Sequence, residues 1–410
     1  MILVLRRFVL LSLLAVPAAW PGGSTTLRFG SNADVHADTS YSNERGYGFD
    51  LGSKVVCAQN FCSSDQPFYF SVRLTEGNYN VKLTLGDATS ASVATVKAES
   101  RRLMLEKVET APGEFVTKTF TVNIRTPKIF TGGEVKLKDR EIGVLHWDDK
   151  LTLEFNNRHP AVSAVEITKA EDAITVYIVG DSTVTDQPRE PWNSWGQMLP
   201  RFFKPGVAVA NHAESGESLK SSLKARRLDK VLSTIKSGDY LFIQFGHNDQ
   251  KERGEGVGAF TTYKSELKLY VSEARKRGAI PVLITPVNRR TFDDAGKITN
   301  SLGDYPEAVR QTSKEENVAL IDLNAMSKPF YEALGPENSK KAFVDNTHHN
   351  NYGSYELAKC IVEGIKANKL GIARFLVDDI APFDPSHPDS IETFAIPASP
   401  LSGTTKPDGN

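Results

Sequence analysis

The first half of the chain alternates between apolar and polar residues. Segments that begin at Phe68, Tyr79, Phe115 and Leu151 carry apolar residues at every second position. This period turns one side chain toward a core and the next toward solvent, as in a half-buried β-strand. Several such strands with almost no helical period predict an antiparallel β-sandwich over residues 24–170.

The second half has a different pattern. Continuous apolar runs lie at residues 175–180, 207–210, 240–245, 280–284 and 318–322. An unbroken apolar run is typical of a parallel strand that is buried on both faces. Between the runs, residues 260–277 have apolar side chains at helical spacing, and Gly278 ends that segment. This alternation predicts an α/β domain over residues 171–380, with helices on both faces of a parallel sheet.

The two ends of the chain differ from both halves. Arg6 and Arg7 precede an apolar run that ends in small residues, which predicts a secretory signal peptide over residues 1–23. A retained membrane anchor is the alternative. We therefore expect a secreted protein, extracellular or periplasmic. The proline-rich residues 381–410 predict a tail that lies on the surface or stays mobile.

Composition and charge narrow the classes of partner. The 410 residues carry a formal net charge of −1, so no global field attracts nucleic acid or an anionic membrane. We expect neither as a partner once the signal is removed. In an exported chain, Cys57 and Cys62 can form a disulfide, although two unpaired thiols are the alternative. Cys360 falls in an apolar helical pattern and is expected to be buried.

Polar and glycine-rich residues follow the predicted parallel strands. They occur at residues 180–183, 211–218 and 246–249, and a further group lies at 345–349. In open parallel sheets, ligands bind beyond the carboxyl ends of the strands. The sequence therefore predicts a site at this edge.

Ser182 is the candidate nucleophile of that site. A serine hydroxyl needs a base to accept its proton and a third group to orient the base. We predict His348 as the base and Asp345 as its partner, because three residues of separation let the carboxylate reach Nδ1. His349 is the alternative base. A metal site formed by Asp345, His348 and His349 is the other alternative, but the His-Glu-x-x-His spacing is missing, so we predict no metal.

A tetrahedral intermediate also needs donors for its negative oxygen. The backbone N–H groups of Ser182 and Gly216 and the side-chain amide of Asn248 are the candidates. The alternatives are an ordinary turn at Gly216 and a local Asx turn at Asn248.

Four short motifs, in this order, resemble those of the GDSL/SGNH hydrolases. They are Gly180-Asp181-Ser182, Asn211-x-Ala213-x-x-Gly216-x-Ser218, Gly246-x-Asn248-Asp249 and Asp345-x-x-His348. The resemblance implies a three-layer α/β/α flavodoxin-like domain that needs no cofactor. The first half is similar to the galactose-binding-like sandwiches that precede such esterases, although no specific motif supports this.

The closer resemblance is to the rhamnogalacturonan acetylesterases. It is carried by Thr285-Pro-Val-Asn-Arg289-Arg290 and by residues 345–353. It implies a serine esterase that removes acetyl groups from pectic polysaccharide, with an acetylated polysaccharide or oligosaccharide as partner. Arg289 and Arg290 are then candidate contacts for the acidic chain. A lipase or thioesterase of the same fold and a carbohydrate-binding protein with an inactive esterase domain are the alternatives.

Overall fold

The computed structural model describes residues 23–404 and 406–408. The predicted signal peptide therefore lies outside the described residues, except for Gly23. Within these ranges no helix is both long and apolar enough to cross a membrane.

The strands of the first half form two antiparallel sheets. One contains β1 (Thr25–Arg28), β3 (Val56–Cys57), β4 (Cys62–Ser63), β6 (Gly77–Leu85), β9 (Val116–Ile124) and β11 (Ala161–Lys169). The other contains β2 (Tyr47–Asp50), β5 (Phe68–Arg73), β7 (Ser92–Ala98), β8 (Arg102–Thr110) and β10 (Lys150–Asn156). The strand orders are β3-β4-β11-β6-β9, with β1 also on β11, and β2-β5-β10-β7-β8.

The two sheets share one apolar core. Val81 and Phe120 of the first sheet pack with Phe70 and Leu153 of the second. The period-two alternation of the sequence supplies these inward side chains, and the predicted β-sandwich is confirmed. At the edge of the first sheet a disulfide joins Cys57 to Cys62, as the spacing allowed. Cys360 is a buried free cysteine, as predicted.

The second half is built on a parallel sheet. Its strands are β12 (Ile174–Gly180), β13 (Val207–Asn211), β14 (Tyr240–Gln244), β15 (Ile280–Ile284) and β16 (Ala319–Ile321). They pair in the order β13-β12-β14-β15-β16, which is the flavodoxin-like order. The chain reverses its direction of travel across the sheet at β12. A crevice therefore opens beyond the carboxyl end of β12, where ligands bind in such folds.

Helices cover both faces of this sheet. They are α1 (Trp195–Met198), α2 (Leu219–Lys224), α3 (Arg227–Leu232), α4 (Lys264–Lys276), α5 (Tyr305–Glu316), α6 (Leu323–Asn338) and α7 (Asn351–Ala367). Val176 and Ile178 of β12 belong to the core beneath α1, α6 and α7. Tyr177 and Val179 belong to the core beneath α2 to α5. Both faces of β12 are buried, which explains its unbroken apolar run and confirms the three-layer prediction.

The helix predicted over residues 260–277 is shorter than expected. A single π-helical turn, Ala259–Tyr263, precedes α4. The predicted stop is present, because Gly278 has φ +71° just beyond the helix end.

Buried ion pairs join the two halves. Arg102 Nε lies 2.7 Å from an Asp186 carboxylate oxygen, and Arg101 Nη2 lies 2.6 Å from Glu190. Both arginines are almost fully buried. Removing either partner leaves an uncompensated charge in a low-dielectric interior, so these pairs hold the halves in one arrangement.

The antiparallel strands end at Lys169. The domain limits predicted around residue 170 stay a prediction.

The proline-rich tail lies on the protein surface. Leu401 O accepts a hydrogen bond from Glu190 N over 2.8 Å, and Gly403 N donates to Glu190 O over 3.0 Å. Earlier in the tail, Pro397 O accepts from Lys97 Nζ over 2.7 Å. The tail thus contacts both the sandwich and the α/β domain.

Candidate active site

Ser182 lies in the turn that follows β12. The preceding Gly180 sits tightly, because a Cβ there would lie 2.5 Å from Gln244 O. The Asp181 carboxylate accepts hydrogen bonds from Thr183 N and Thr183 Oγ1, over 2.9 and 2.8 Å, and these bonds shape the turn. The turn therefore places the serine beyond the carboxyl end of the central strand.

A loop before α7 brings two partners to this serine. His348 Nε2 lies 2.8 Å from Ser182 Oγ, and His348 Nδ1 lies 2.8 Å from Asp345 Oδ2. The other Asp345 oxygen accepts from the backbone N–H groups of Thr347 and His348, over 2.7 and 2.8 Å. The structure brings the three predicted side chains together in the order that acyl transfer requires.

The electrostatics suit this arrangement. Burial raises the pKa of Asp345, but the hydrogen bonds from His348 and from two backbone N–H groups outweigh it and hold that pKa well below its usual range. The carboxylate therefore stays ionised, fixes the imidazole tautomer and can stabilise an imidazolium.

His349, the alternative base, lies elsewhere. Its Nε2 is 2.8 Å from the Tyr331 hydroxyl, and its ring packs against Phe343. Burial lowers the pKa of His349 to about 3. This side chain belongs to the core and does not contact Ser182.

The predicted oxyanion donors lie in the turn after β12 and in the loops after β13 and β14. Within the described residues, neither the Ser182 N–H nor the Gly216 N–H donates a hydrogen bond to another protein group. The Asn248 amide donates to Glu217 O over 3.0 Å, which orients it beside Gly216. Gly216 has φ +77°, a conformation that favours glycine.

Asp181 and Asp249 hold the loops of the site through hydrogen bonds. His247 Nδ1 lies 3.2 Å from Asp181 Oδ2. Asp249 accepts from Leu219 N and Gly246 N, each over 2.9 Å. Burial raises the pKa of Asp249 to about 8. These contacts tie the first and third motifs together.

The structure also places both predicted arginines near the site. Arg289 donates to Ser301 O over 3.1 Å and to His247 O over 3.4 Å, and burial lowers its pKa. Arg290 Nη2 donates to Asn346 Oδ1 over 2.7 Å and so braces the loop that carries Asp345. Both side chains are half-buried. Their contact with a substrate stays a prediction.

Sequence reasoning missed several neighbours of the site. Gln187 Nε2 donates to Ser182 O over 2.8 Å. Lys138 and Arg140, from the first half of the chain, contact the loop that carries Gly216. No short motif marks these residues, because the contacts join segments that are far apart in the sequence.

The tail reaches the same rim. Lys406 Nζ lies 3.5 Å from Asp345 Oδ2, and Asp408 pairs with Arg140. Ser182 is fully buried, with 0% of its surface exposed. A cavity of about 530 Å³ lies next to Ser215 in the loop that carries Gly216, and it is also lined by residues 139–142 of the first half, by residues 185–189 and by the tail.

Among the described residues no group of three or more His, Cys, Asp or Glu side chains could hold a metal ion. Asp345 and His348 instead face one another and Ser182. The absence of a cofactor stays a prediction.

Several known proteins are similar to this chain. The model of the GDSL-like lipase/acylhydrolase family matches residues 178–354. The chain is 43% identical to the rhamnogalacturonan acetylesterase RhgT of Bacillus subtilis over 50% of its own length and 94% of that protein. It is 29% identical to the uncharacterised esterase YxiM of the same species, over 83% of this chain and 88% of that one. The crystal structure of YxiM covers 85% of this chain and 99% of its own, with a TM-score of 0.47 and 24% identity.

The matched segment contains Ser182, Gly216, Asn248, Asp345 and His348. Residues 178–354 begin within β12 and end within α7, so the match coincides with the sheet and loops that build the site. This chain belongs to the GDSL-like lipase/acylhydrolase family.

Proposed function

We propose that the protein is a serine esterase that removes acetyl groups from a pectic polysaccharide of the rhamnogalacturonan type. One observation carries the proposal: Asp345, His348 and Ser182 form a continuous hydrogen-bonded chain that ends at a serine hydroxyl. The similarity to RhgT, which is named a rhamnogalacturonan acetylesterase, supports the choice of substrate.

The geometry supports a two-step acyl transfer. Ser182 Oγ attacks the acetyl carbonyl carbon while His348 Nε2 accepts the hydroxyl proton. The carbonyl oxygen becomes an anion that Gly216 N–H, Ser182 N–H and the Asn248 amide can stabilise. The bond from the acyl carbon to the sugar oxygen then breaks, and His348 returns the proton to that oxygen. Water repeats the attack on the acetyl-serine, which releases acetate and restores Ser182.

The similarity to relatives favours a sugar ester over a long acyl chain. The cavity next to the Gly216 loop is lined by charged side chains, among them Asp139 and Arg140, and by apolar ones, among them Ile142 and Trp192, so its lining does not distinguish the two substrates. Two relatives carry the name of a rhamnogalacturonan acetylesterase, and this supports the polysaccharide over the substrate of a lipase or thioesterase. The assembled triad weighs against a binding protein that has lost its activity.

Released acetate tests the proposal. The protein and its Ser182→Ala variant are incubated with acetylated rhamnogalacturonan, homogalacturonan and xylan. We expect acetate release from rhamnogalacturonan to exceed that from the other two polymers, and the variant to release none above background. Equal activity of the variant would overturn the assignment of the nucleophile. Cleavage of long-chain nitrophenyl esters alone would support the lipase alternative.

We also propose that the protein is secreted. The Cys57–Cys62 disulfide supports this, because such bonds persist in oxidising compartments. Mass spectrometry of the protein in culture medium and cell fractions tests it, and an uncleaved N-terminus in the membrane fraction would support the anchor alternative. The expected lack of nucleic-acid or membrane partners stays a prediction.

A further inference from the structure

A short turn from the first half of the chain reaches the loop that follows β13. The turn runs from Lys138 to Glu141 and lies between β9 and β10. Lys138 Nζ donates a hydrogen bond to Ser215 O over 2.6 Å, and Arg140 Nη2 donates to the same oxygen. Arg140 Nε also donates to Glu214 Oε1 over 2.8 Å. Two cations from one half of the molecule therefore meet on a single carbonyl of the other.

That carbonyl belongs to the peptide that links Ser215 and Gly216. A trans peptide is planar, and its C=O and N–H bonds point in opposite directions. Cations held on the carbonyl oxygen therefore fix the direction of the Gly216 N–H. They also polarise the peptide, because hydrogen bonds in a chain strengthen one another. The N–H on the far side becomes a better donor for a negative oxygen.

The turn that carries Lys138 and Arg140 is held in place by the buried carboxylate of Glu141. The Glu141 carboxylate accepts from Lys138 N over 2.9 Å, from Arg227 Nη2 over 2.6 Å and from Trp147 Nε1 over 3.1 Å. Glu141 and Arg227 are almost fully buried. These contacts fix the turn in the folded protein. The contact of Lys138 and Arg140 with the Ser215 carbonyl therefore needs little reorganisation during the reaction.

Glu217, the residue after Gly216, connects the contact of Lys138 to Asn248, another predicted oxyanion donor. Lys138 Nζ lies 3.0 Å from Glu217 Oε1, and the Glu217 carbonyl accepts from the Asn248 amide over 3.0 Å. The loop that Lys138 contacts therefore orients both Gly216 and Asn248.

We propose that Lys138 and Arg140 are positioning residues that complete the oxyanion hole, so that the first half of the chain contributes to the chemical step. The inference rests on the proposed function, because Gly216 has its role there. It assigns these two side chains to transition-state stabilisation, at a distance of one peptide from the reacting oxygen.

Kinetics on a small neutral ester test this role without interference from polymer binding. We propose Lys138→Met, Arg140→Gln and the double variant, each assayed with 4-nitrophenyl acetate. Lys138→Arg keeps a cation at the same carbonyl. Lys136→Met is the matched control, because Lys136 is exposed and lies two residues away on the same segment. Glu217 keeps Arg227 at 3.7 Å in the Lys138 variants, so its charge stays compensated.

We expect kcat to fall about 10- to 100-fold in the single variants and further in the double variant, with KM changed less than about twofold. Lys138→Arg should recover most of kcat, and Lys136→Met should match the parent. A phenylboronic acid, which forms a tetrahedral anion on a serine hydroxyl, should bind more weakly to the Lys138 and Arg140 variants in parallel with kcat. This second measurement reports on the bound tetrahedral anion and does not depend on the rate of turnover.

Unchanged kcat and boronate affinity in the folded Lys138→Met and Arg140→Gln variants would overturn the inference, as would a change confined to KM. Either result leaves the proposed function standing if the parent releases acetate and Ser182→Ala does not. An inactive parent on every acetyl ester would instead count against the proposed function.

Discussion

His348 Nε2 lies 2.8 Å from Ser182 Oγ, although 166 positions separate the two residues. Ser182 follows the central strand of the parallel sheet, and His348 precedes α7, which packs across one face of that sheet. The imidazole reaches the hydroxyl because helix and strand are fixed against each other by a buried core.

Asp345→Asn should lower kcat by about 10³- to 10⁴-fold with little change in KM, because an amide cannot stabilise the imidazolium and favours the wrong tautomer. The measurement is steady-state kinetics on 4-nitrophenyl acetate. Retention of more than about a tenth of the parent's kcat would contradict the assigned role.

The same variant should reveal a dependence of stability on pH. The pKa of Asp345 lies below its ordinary value of 3.8, so the ionised carboxylate stabilises the folded chain above that value. This contribution is lost as the pH falls toward the lower, folded-state pKa. The Tm difference between the parent and Asp345→Asn should therefore be larger at pH 7 than at about pH 3. A constant difference would show that the ionised form is not favoured in the folded state.

Asn248→Ala removes one predicted oxyanion donor. We expect kcat on a small acetyl ester to fall about 10²- to 10³-fold, because the lost interaction is made only with the transition state. Asn248→Asp keeps the side-chain size but lacks the donor, and should be at least as impaired. Thermal unfolding provides the control, since a matching loss of folded protein would point to a structural role instead.

Arg289→Ala should raise KM several-fold for an acidic oligosaccharide and leave KM for a neutral acetyl ester unchanged. Arg253→Ala is the matched control, because Arg253 is exposed and its guanidinium donates to the backbone carbonyls of Gln250 and Glu252. Equal effects of the two variants would indicate a general loss of positive charge. Arg290 is less suitable for this test, because it braces the loop of Asp345 through Asn346.

A chain that ends at Ser402 should be more active on polymer than the full chain. The removed segment contains Lys406 and Asp408, which contact Asp345 and Arg140 at the rim of a fully buried Ser182. We expect kcat/KM to rise several-fold for the polysaccharide and less for a small ester, which needs a narrower opening. A chain that ends at Asp408 is the control. No difference between the two truncations would show that the tail does not limit access.

Local pattern was sufficient to predict the architecture and to select the three side chains that the structure brings together. β12 is buried on both faces and therefore has an unbroken run of apolar residues. β6 is buried on one face and therefore alternates between apolar and polar residues. Asp345 and His348 were also predictable, because three residues of separation bring a carboxylate to a ring within one turn. The four motifs placed Ser182, Gly216 and Asn248 at strand ends, where a parallel sheet gathers its loops.

The contacts between segments that are distant in the sequence could be known only from the folded structure. Lys138 and Arg140 lie in an irregular stretch with no periodicity and no motif, yet they converge on Ser215 O because the sandwich docks against the α/β domain. The sequence predicts Arg290 as a substrate contact, and that stays a prediction. Only the fold shows that its guanidinium also donates a hydrogen bond to Asn346. The pattern of apolar residues predicts whether a side chain is buried. It does not predict which distant polar group that side chain contacts, because this depends on how whole helices and strands pack against each other.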